Sequence, residues 1–444
     1  MLKIYTTPIH LPEKEYVLQV LFREILGLPF EVIPDAGLPH LRLRLPNGAT
    51  LVVEDHFFGQ FPENIYLNAE NIPETAVRLP HPFEPGETIA GVYGRPYYST
   101  ENQTITLGID LISSAFFMLT RWEEYVKTER DRYGRFPATA GWACRNNLLE
   151  RPLVNEYAGL LWQALLRLGW NGPRRPRQFR LHLSHDVDHP RLWWSAAGRL
   201  RTLTGSLMHR HNAREAAWWL RHQIFRQDDP YDIFDDWMDF SEANGLVSHF
   251  NFMSRRPVYA DCYYPLDHPY VTELIKKIRK RGHVIGFHPS REAFASPVVF
   301  AKELAAVREV SAAPVRSGRQ HYLCFAAPHT WQQWSDAGME WDSTLGYPDA
   351  EGFRCGICHD FPVFNFLSRQ TLPLREKPLL AMDVTLAQYR QYTPEQGYAR
   401  LQYLRRQTEK YGGEFVLLWH NSSWNTYFWA PWQEVYREFV KSCR

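Results

Sequence analysis

The stretch from Leu181 to Pro190, LHLSHDVDHP, limits what this chain can fold into and do more than any other segment. Residues 179–184 alternate apolar and polar side chains, which predicts a strand, and Pro190 interrupts regular structure soon afterwards. Asp186 and Asp188 are therefore expected just past the carboxyl end of that strand, where α/β folds bind ligands. In extended chain the two carboxylates face the same way, so they repel unless a cation lies between them or one is protonated. A turn with solvated carboxylates is the alternative.

Composition narrows the class of protein. The 444 residues exceed one ordinary core, so two domains are expected. A formal net charge of +1 without a long basic block argues against nucleic acid or an anionic membrane as the main partner. No apolar run approaches the roughly 20 residues of a membrane span, residues 1–8 do not resemble a signal peptide, and six cysteines are few. We therefore expect a cytoplasmic protein with reduced thiols.

The first part of the chain predicts a mixed module. Helices are expected over residues 13–26, 110–125 and 154–168, and strands over residues 30–33, 41–45 and 50–53. Residues 57–99 show no clear period and are predicted to be irregular. Residues 171–178, NGPRRPRQ, are typical of an exposed linker. We therefore predict an N-terminal α+β module over residues 1–172 and a second domain over residues 173–444.

The second part alternates strand and helix patterns in roughly seven units, which predicts a parallel α/β barrel or a doubly wound sheet. In a parallel barrel the carboxyl ends of the strands share one mouth. The polar residues that follow those predicted ends are Asp186, Asp188, His288, Ser290, Glu292, Arg319, His321, Asp342, Asp383, His420 and Asn421. Carboxylates, imidazoles and a guanidinium are the groups that metal-assisted hydrolysis requires.

Five short motifs in this order resemble the NodB-homology polysaccharide deacetylases. They are Ser184-His185-Asp186-Val187-Asp188, Gly282-His283-Val284-Ile285-Gly286-Phe287-His288, Arg319-Gln320-His321-Tyr322, Trp341-Asp342-Ser343 and Leu417-Leu418-Trp419-His420-Asn421. The resemblance covers the chain from Phe179 onward and implies a distorted parallel (β/α) barrel of about seven strands. Residues 110–125 and 151–157 also resemble a subgroup of two-domain bacterial proteins whose N-terminal module is uncharacterised.

The resemblance implies roles for the motif residues. Asp186 would be the catalytic base, Arg319 would orient it, and His420 would be the general acid. Asp188 and His288 would bind a divalent metal, which we expect to be zinc. His185, His321, Tyr322, Asp342, Asp383 and Asn421 are expected to contact substrate or to support the catalytic groups.

One departure concerns the third metal ligand. The family has a second histidine four residues after the first, and this chain has Glu292 there. Glutamate can bind zinc, but the i, i+4 spacing brings His288 and Glu292 together only in a helix. The alternatives are that His185, His189 or His321 supplies the ligand, or that no metal binds.

These residues lead to one main hypothesis and two alternatives. The main hypothesis is a metal-assisted hydrolase that removes an acyl group from an amide, the N-acetyl group of an amino sugar in a bacterial polysaccharide or its precursor. The first alternative is a non-catalytic carbohydrate-binding barrel in surface-polysaccharide assembly, and the second is a metal-free amidohydrolase acting on a small nitrogen compound. Cys355-Gly-Ile-Cys358-His359 matches a haem-attachment pattern, but without an export signal we interpret it as two ordinary thiols. The sequence does not indicate an oligomeric state.

Overall fold

The structure is a computed structural model that describes residues 1–225, 228–254 and 264–444. In these residues the strands β1 to β17 are, in chain order, Leu2–Thr6, Phe30–Pro34, Leu41–Arg44, Thr50–Val53, Val77–Pro80, Thr88–Gly91, Gly94–Glu101, Thr104–Ile109, Arg180–Val187, Ser248–Phe252, Val284–Phe287, Ser317–Gly318, Trp341–Asp342, Phe361–Asn365, Gln370–Glu376, Ala381–Met382 and Glu414–Leu418. The helices α1 to α14 are Leu11–Leu18, Leu111–Thr120, Trp122–Val126, Trp142–Arg145, Leu153–Arg167, Ala196–Met208, Ala213–Phe225, Phe234–Ala243, Pro269–Lys280, Arg291–Phe294, Pro297–Ser311, His329–Asp336, Pro394–Glu409 and Trp432–Ser442. Two π-helices, Gln19–Leu26 and Thr385–Tyr389, and short 3-10 turns complete the set.

The chain forms two compact units. The first unit consists of Met1–Phe179, Leu323–Leu380 and Arg406–Glu414, and the second of Arg180–Tyr322, Ala381–Arg405 and Phe415–Arg444. The predicted domain boundary at residue 172 stays a prediction.

The first unit is built on a mixed six-stranded sheet with the order β2-β1-β3-β4-β8-β7. Its pairs β1–β2 and β4–β8 are parallel and the others are antiparallel. The same unit contains the antiparallel pair β14–β15, with β13 parallel to β15. A buried ionic group lies among these elements: the Glu124 carboxylate accepts hydrogen bonds from Arg121 and Arg354, and all three side chains are about 1% exposed. Such a group keeps its charges buried only because each is paired.

The second unit holds the strands in the order β12-β11-β10-β9-β17-β16. The pairs β9–β10, β10–β11, β11–β12 and β16–β17 are parallel, and helices alternate with these strands along the chain. The predicted α/β class with parallel strands is therefore confirmed. No strand pair within the described ranges joins β12 to β16, so the pairing in this unit is that of an open sheet and closure into a barrel stays a prediction.

Some predicted elements differ from the structure for local reasons. Asp110 caps α2 as expected, because its carboxylate accepts a hydrogen bond from the Ser113 amide. The predicted helix over residues 110–125 is nevertheless broken at Arg121, which adopts a left-handed conformation with φ of 55°. Strands β5 and β6 and most of β7 lie in residues 57–99, where none was predicted. Helices α6 and α7 were not predicted either, since both carry apolar residues on more than one face.

Within the described part of the chain, no helix combines the length and the apolar character that crossing a bilayer requires.

Candidate metal and catalytic site

Three neighbouring strands of the second unit present their carboxyl ends side by side. Asp186 on β9 lies opposite Asn251 on β10, and Asn251 lies opposite Gly286 on β11. Because these three residues share one register position in a parallel sheet, they share one face of it. The strand period therefore gathers polar groups at this edge. Asp186 lies inside β9, one residue before its end, whereas the sequence predicted it just past the strand.

The carboxylate of Asp186 is buried, and one of its two oxygens is held by hydrogen bonds. Its Oδ1 accepts hydrogen bonds from Arg319 Nη1 at 3.0 Å and from Asn251 Nδ2 at 2.7 Å. Its Oδ2 lies 3.9 Å from His288 Nδ1. Burial disfavours the charged form, but the Arg319 guanidinium and the nearby imidazoles hold the pKa of Asp186 below its usual range. Asp186 is therefore an oriented, ionised carboxylate whose Oδ2 is the less engaged oxygen.

Asn251 is a site residue that the sequence reasoning missed. Its position requires the glycine opposite it, because a Cβ at Gly286 would collide with Asn251 Oδ1. A side chain at Gly286 would therefore displace the donor to Asp186. The signal in the sequence was a polar residue at the end of the strand between the first two motifs.

Three further side chains form a group that could hold a metal ion: Asp188, His288 and His321. His288 Nε2 lies 3.2 Å from Asp188 Oδ1 and 2.9 Å from His321 Nδ1, and His321 Nδ1 lies 3.6 Å from Asp188 Oδ1. The orientation of the His288 ring is fixed by its other nitrogen, since Nδ1 donates to the Arg319 carbonyl at 2.7 Å. This leaves Nε2 as the lone-pair nitrogen that faces the other two groups.

The dimensions of the group fit a divalent ion. Zinc bonds of about 2.0–2.2 Å place tetrahedral ligands about 3.3–3.6 Å apart and octahedral neighbours about 3 Å apart, and the three distances of 2.9, 3.2 and 3.6 Å fall in this span. The carboxylates of Asp186 and Asp188 also raise the pKa of His288 against the effect of its burial. Carboxylates that draw a proton to an imidazole equally favour a cation among them.

His321 reaches this group through backbone contacts of its loop. Arg319 donates its amide to the Phe287 carbonyl at 3.0 Å, and His321 donates its amide to the Pro289 carbonyl at 3.2 Å. The segments that follow β11 and β12 therefore run side by side. Tyr322 comes next with a left-handed φ of 59°, a strained conformation that is common at functional sites.

Glu292 is not part of the group of three. Ser290 caps helix α10, its side chain accepting from the Ala293 amide, so the helix begins only at Arg291. His288 precedes that helix in extended chain, and the i, i+4 geometry required to bring it and Glu292 together is not formed. Glu292 as third ligand stays a prediction, and the structure offers His321 as the third ligand instead.

His420 is positioned by a buried carboxylate. Asp383 Oδ2 accepts the His420 backbone amide at 2.8 Å, and Asp383 Oδ1 lies 2.8 Å from the ring Nδ1. The ring Nε2 points toward the group of three and lies 4.0 Å from Asp188 Oδ2. Burial lowers the pKa of His420, but the charge and hydrogen bond of Asp383 outweigh it and raise the pKa to about 9. At neutral pH His420 is therefore an imidazolium with a proton on each ring nitrogen, and Asp383 fixes the orientation of its ring.

Two other predicted residues have structural partners. His185 lies on the opposite face of β9, where it stacks on Trp237 at 3.9 Å and its Nδ1 donates to the Trp419 carbonyl. Burial lowers the pKa of His185 to about 3, which keeps it neutral. Asn421 donates to the carbonyls of His189 and Tyr231 at 2.8 and 3.0 Å.

Asp342 lies in the first unit, at the end of β13. Its Oδ1 accepts the Thr344 amide at 3.0 Å. Burial, followed by the charge of Asp342, raises the pKa of Glu376 well above its usual range. Asp342 and Glu376 are therefore a pair of buried carboxyl groups in which the protonated form of Glu376 is favoured.

Fold and site together define a mixed α/β protein with a parallel sheet whose strand ends carry a candidate metal centre beside an oriented carboxylate and an oriented imidazolium. Residues 2–169 match the model of a family described as a family of unknown function, DUF7033. No curated protein matches the chain.

Two solved structures are similar to part of the chain. A protein from Mycobacterium smegmatis assigned as a polysaccharide deacetylase matches with 18% identity and a TM-score of 0.38 over 62% of this chain and 86% of that chain. Puue allantoinase matches with 10% identity and a TM-score of 0.37 over 63% of this chain and 89% of that chain. Likenesses of this size carry no argument about activity, which has to be argued from the side chains.

Proposed function

We propose that this protein is a metal-assisted hydrolase that removes the acyl group from an amide, with the N-acetyl group of an amino sugar as its substrate. One observation carries the proposal. Three ligand atoms, from Asp188, His288 and His321, lie within bonding range of a single ion, and an ionised carboxylate and a protonated imidazole flank them. Metal-assisted amide hydrolysis needs a metal site, a general base and a general acid together.

Each function has a residue. Asp188, His288 and His321 would hold a divalent ion, which we propose to be zinc, and when bound it would supply the Lewis acidity that activates water and polarises an amide carbonyl. Asp186 takes the proton of the attacking water at its Oδ2, because Oδ1 is occupied by Arg319 and Asn251.

The leaving amine needs a proton, and His420 can deliver it. Its Nε2 faces the group of three, while Nδ1 is bound to Asp383. The proton that His420 delivers is therefore the one on Nε2, which faces the group of three. The barrel architecture of the deacetylase family belongs to this proposal as well, since it would place all these strand ends around one mouth.

The test combines metal content with acetate release from N-acetylated amino-sugar oligosaccharides. We expect bound zinc by elemental analysis, and activity that chelation removes and added zinc restores. Asp186→Asn should keep the metal and lower turnover about 10²- to 10⁴-fold, the usual contribution of a general base, whereas Asp188→Asn should lose the metal.

Other outcomes would favour the alternatives. Activity that survives chelation would identify a metal-free amidohydrolase, and saccharide binding without turnover would identify a binding protein. Equal metal content in the Asp186→Asn and Asp188→Asn variants would contradict the assigned roles.

A further inference from the structure

The helical hairpin, defined here as residues 191–225 with helices α6 and α7, has a charge unlike that of the rest of the chain. It contains six arginines and one glutamate, a formal net charge of +5, whereas the whole chain carries +1. The remaining residues therefore carry a net −4. A charge balance averaged over the chain conceals this basic segment.

The two helices pack antiparallel. Gln223 Nε2, near the end of α7, donates to the carbonyl of Arg199, near the start of α6. Trp193 and Trp219 pack edge to face in the interior of the hairpin, and Trp193 donates its indole proton to Thr202. The hairpin therefore has an inner aromatic side that is already filled.

The outer side of the hairpin is both apolar and basic. Both helices carry large apolar side chains that are 50–77% exposed: Leu200, Leu207 and Met208 on α6, and Leu220, Ile224 and Phe225 on α7. On α7 the exposed residues Ala213, Ala217, Leu220 and Ile224 recur at helical spacing. Arg201, Arg214 and Arg221 are exposed beside them. Aliphatic tips alternating with guanidinium groups along a helix are typical of helices that lie in a membrane interface.

We infer that the outer side of the hairpin docks onto a membrane surface that contains anionic phospholipid. Arginine pairs well with phosphate, and exposed Leu, Ile and Phe side chains gain free energy by entering the acyl boundary. A second copy of the chain fits this surface less well, because a symmetric contact would bring the two sets of arginines together. Nucleic acid would use the arginines but not the aliphatic stripe.

Docking would bring the candidate site to the membrane. The hairpin leaves the site three residues after Asp188 and returns at Asp229, whose carboxylate accepts the amides of Leu192 and Trp193 at 2.8 and 2.6 Å. Asn421, next to His420, binds carbonyls on both sides of the hairpin. A helix of 13 residues is about 20 Å long, which sets the scale of the distance between the site and a docked membrane. The amino sugar would then be one held at the membrane surface. This last step rests on the proposed function, whereas the docking itself does not.

The experiment is co-sedimentation of the full chain with vesicles of phosphatidylcholine alone or mixed equally with phosphatidylglycerol. We expect binding only to the mixed vesicles. The Arg214→Gln/Arg221→Gln variant should bind roughly 25-fold more weakly, at about five-fold per arginine. Salt at about 1 M should weaken binding because the screening length falls to about 3 Å.

Apolar and control variants complete the design. Leu220→Asn/Ile224→Asn should also lose binding, whereas Val298→Asn on α11 and Lys276→Gln on α9, both exposed on the same unit, should not. Unchanged thermal melting would establish that the variants fold.

Three results would overturn the inference: no binding to mixed vesicles, equal binding by all variants, or a dimer that the Leu220→Asn/Ile224→Asn variant dissociates. Binding to a DNA duplex but not to vesicles, unaffected by that variant, would assign the arginines to nucleic acid instead. None of these results affects hydrolysis of a soluble amide, so failure of the docking is distinct from failure of the proposed function.

Discussion

Replacing Gly286 by alanine should destabilise the protein mainly through a collision with Asn251. The new Cβ would collide with Asn251 Oδ1 and would lie 3.2 Å from the Ser317 carbonyl. To relieve the collision, Asn251 must turn away and give up its 2.7 Å hydrogen bond to the buried Asp186 carboxylate. A hydrogen bond to a charged group contributes about 1.5–3 kcal/mol, and crowding adds about 1–3 kcal/mol. We expect Gly286→Ala to cost roughly 3–5 kcal/mol.

A double-mutant cycle isolates that contact. In an Asn251→Ala background the side chain that collides is gone, so Gly286→Ala should cost only about 1–2 kcal/mol there. The coupling between the two positions should then be about 1–3 kcal/mol, the range for residues in contact. The free energy of unfolding is measured by urea titration followed by far-ultraviolet circular dichroism.

Gly159, on α5, is the matched control. A Cβ there meets its nearest neighbour, in Tyr411, at 4.0 Å, and alanine in a helix interior is favoured over glycine by about 1 kcal/mol. Gly159→Ala should therefore stabilise the protein. The collision with Asn251 is refuted if Gly286→Ala is as stable as the parent, or if its cost is the same with and without the Asn251 side chain.

Three further predictions concern the carboxylates and their partners. His321→Ala should abolish binding of zinc in equilibrium dialysis while Glu292→Ala leaves it unchanged, and the reverse result would restore Glu292 as the ligand. Asp342→Asn should flatten the pH dependence of stability above about pH 4.5. The raised pKa of Glu376 means that the folded state holds a proton that the unfolded state loses there, so the parent loses up to about 1.4 kcal/mol per pH unit; an unchanged slope in pH-dependent urea titrations would refute this. Arg319→Met should cost about 3–5 kcal/mol in the same titration at neutral pH because it leaves a buried carboxylate without its cation, and a cost below about 1 kcal/mol would contradict it.

Strand periodicity and strand ends were the parts of the second unit that the sequence could predict. Asp186 is separated from His185 by the alternation of side chains in β9, which is why one faces Arg319 and the other stacks on Trp237. Regular alternation is a local property, so one sequence suffices to predict it.

Contacts between loops could not be predicted in the same way. His321 joins His288, which is 33 positions earlier in the chain, because the segments after β11 and β12 hydrogen-bond to each other. The prediction of Glu292 as the third ligand depended on a helix that includes both His288 and Glu292. The cap at Ser290 places the start of the helix after His288. Helix starts are uncertain by a turn or less from sequence, which is enough to change which side chains are expected to lie together.

The hairpin and the break at Arg121 were missed for a different reason. Helix α7 buries Trp219 on one side and exposes Leu220 and Ile224 on another, so no single apolar stripe marks it. Arg121 interrupts a strong helical pattern because its guanidinium is held by Glu124 inside the first unit. Tertiary contacts override local preference in both cases.

Strand β17 has a consequence for the synthesis of the chain. It is the neighbour of β9 in the sheet, and Trp419 donates its amide to the Ser184 carbonyl, yet 226 residues lie between Val187, the end of β9, and Glu414. At ribosomal rates of about 5–20 residues per second, β9 waits roughly 11–45 seconds for this partner. During that interval one edge of a strand that is largely buried in the folded protein is open, which is the condition that favours pairing with other chains. Chains that terminate before residue 414 should therefore accumulate as aggregates rather than as a smaller soluble protein.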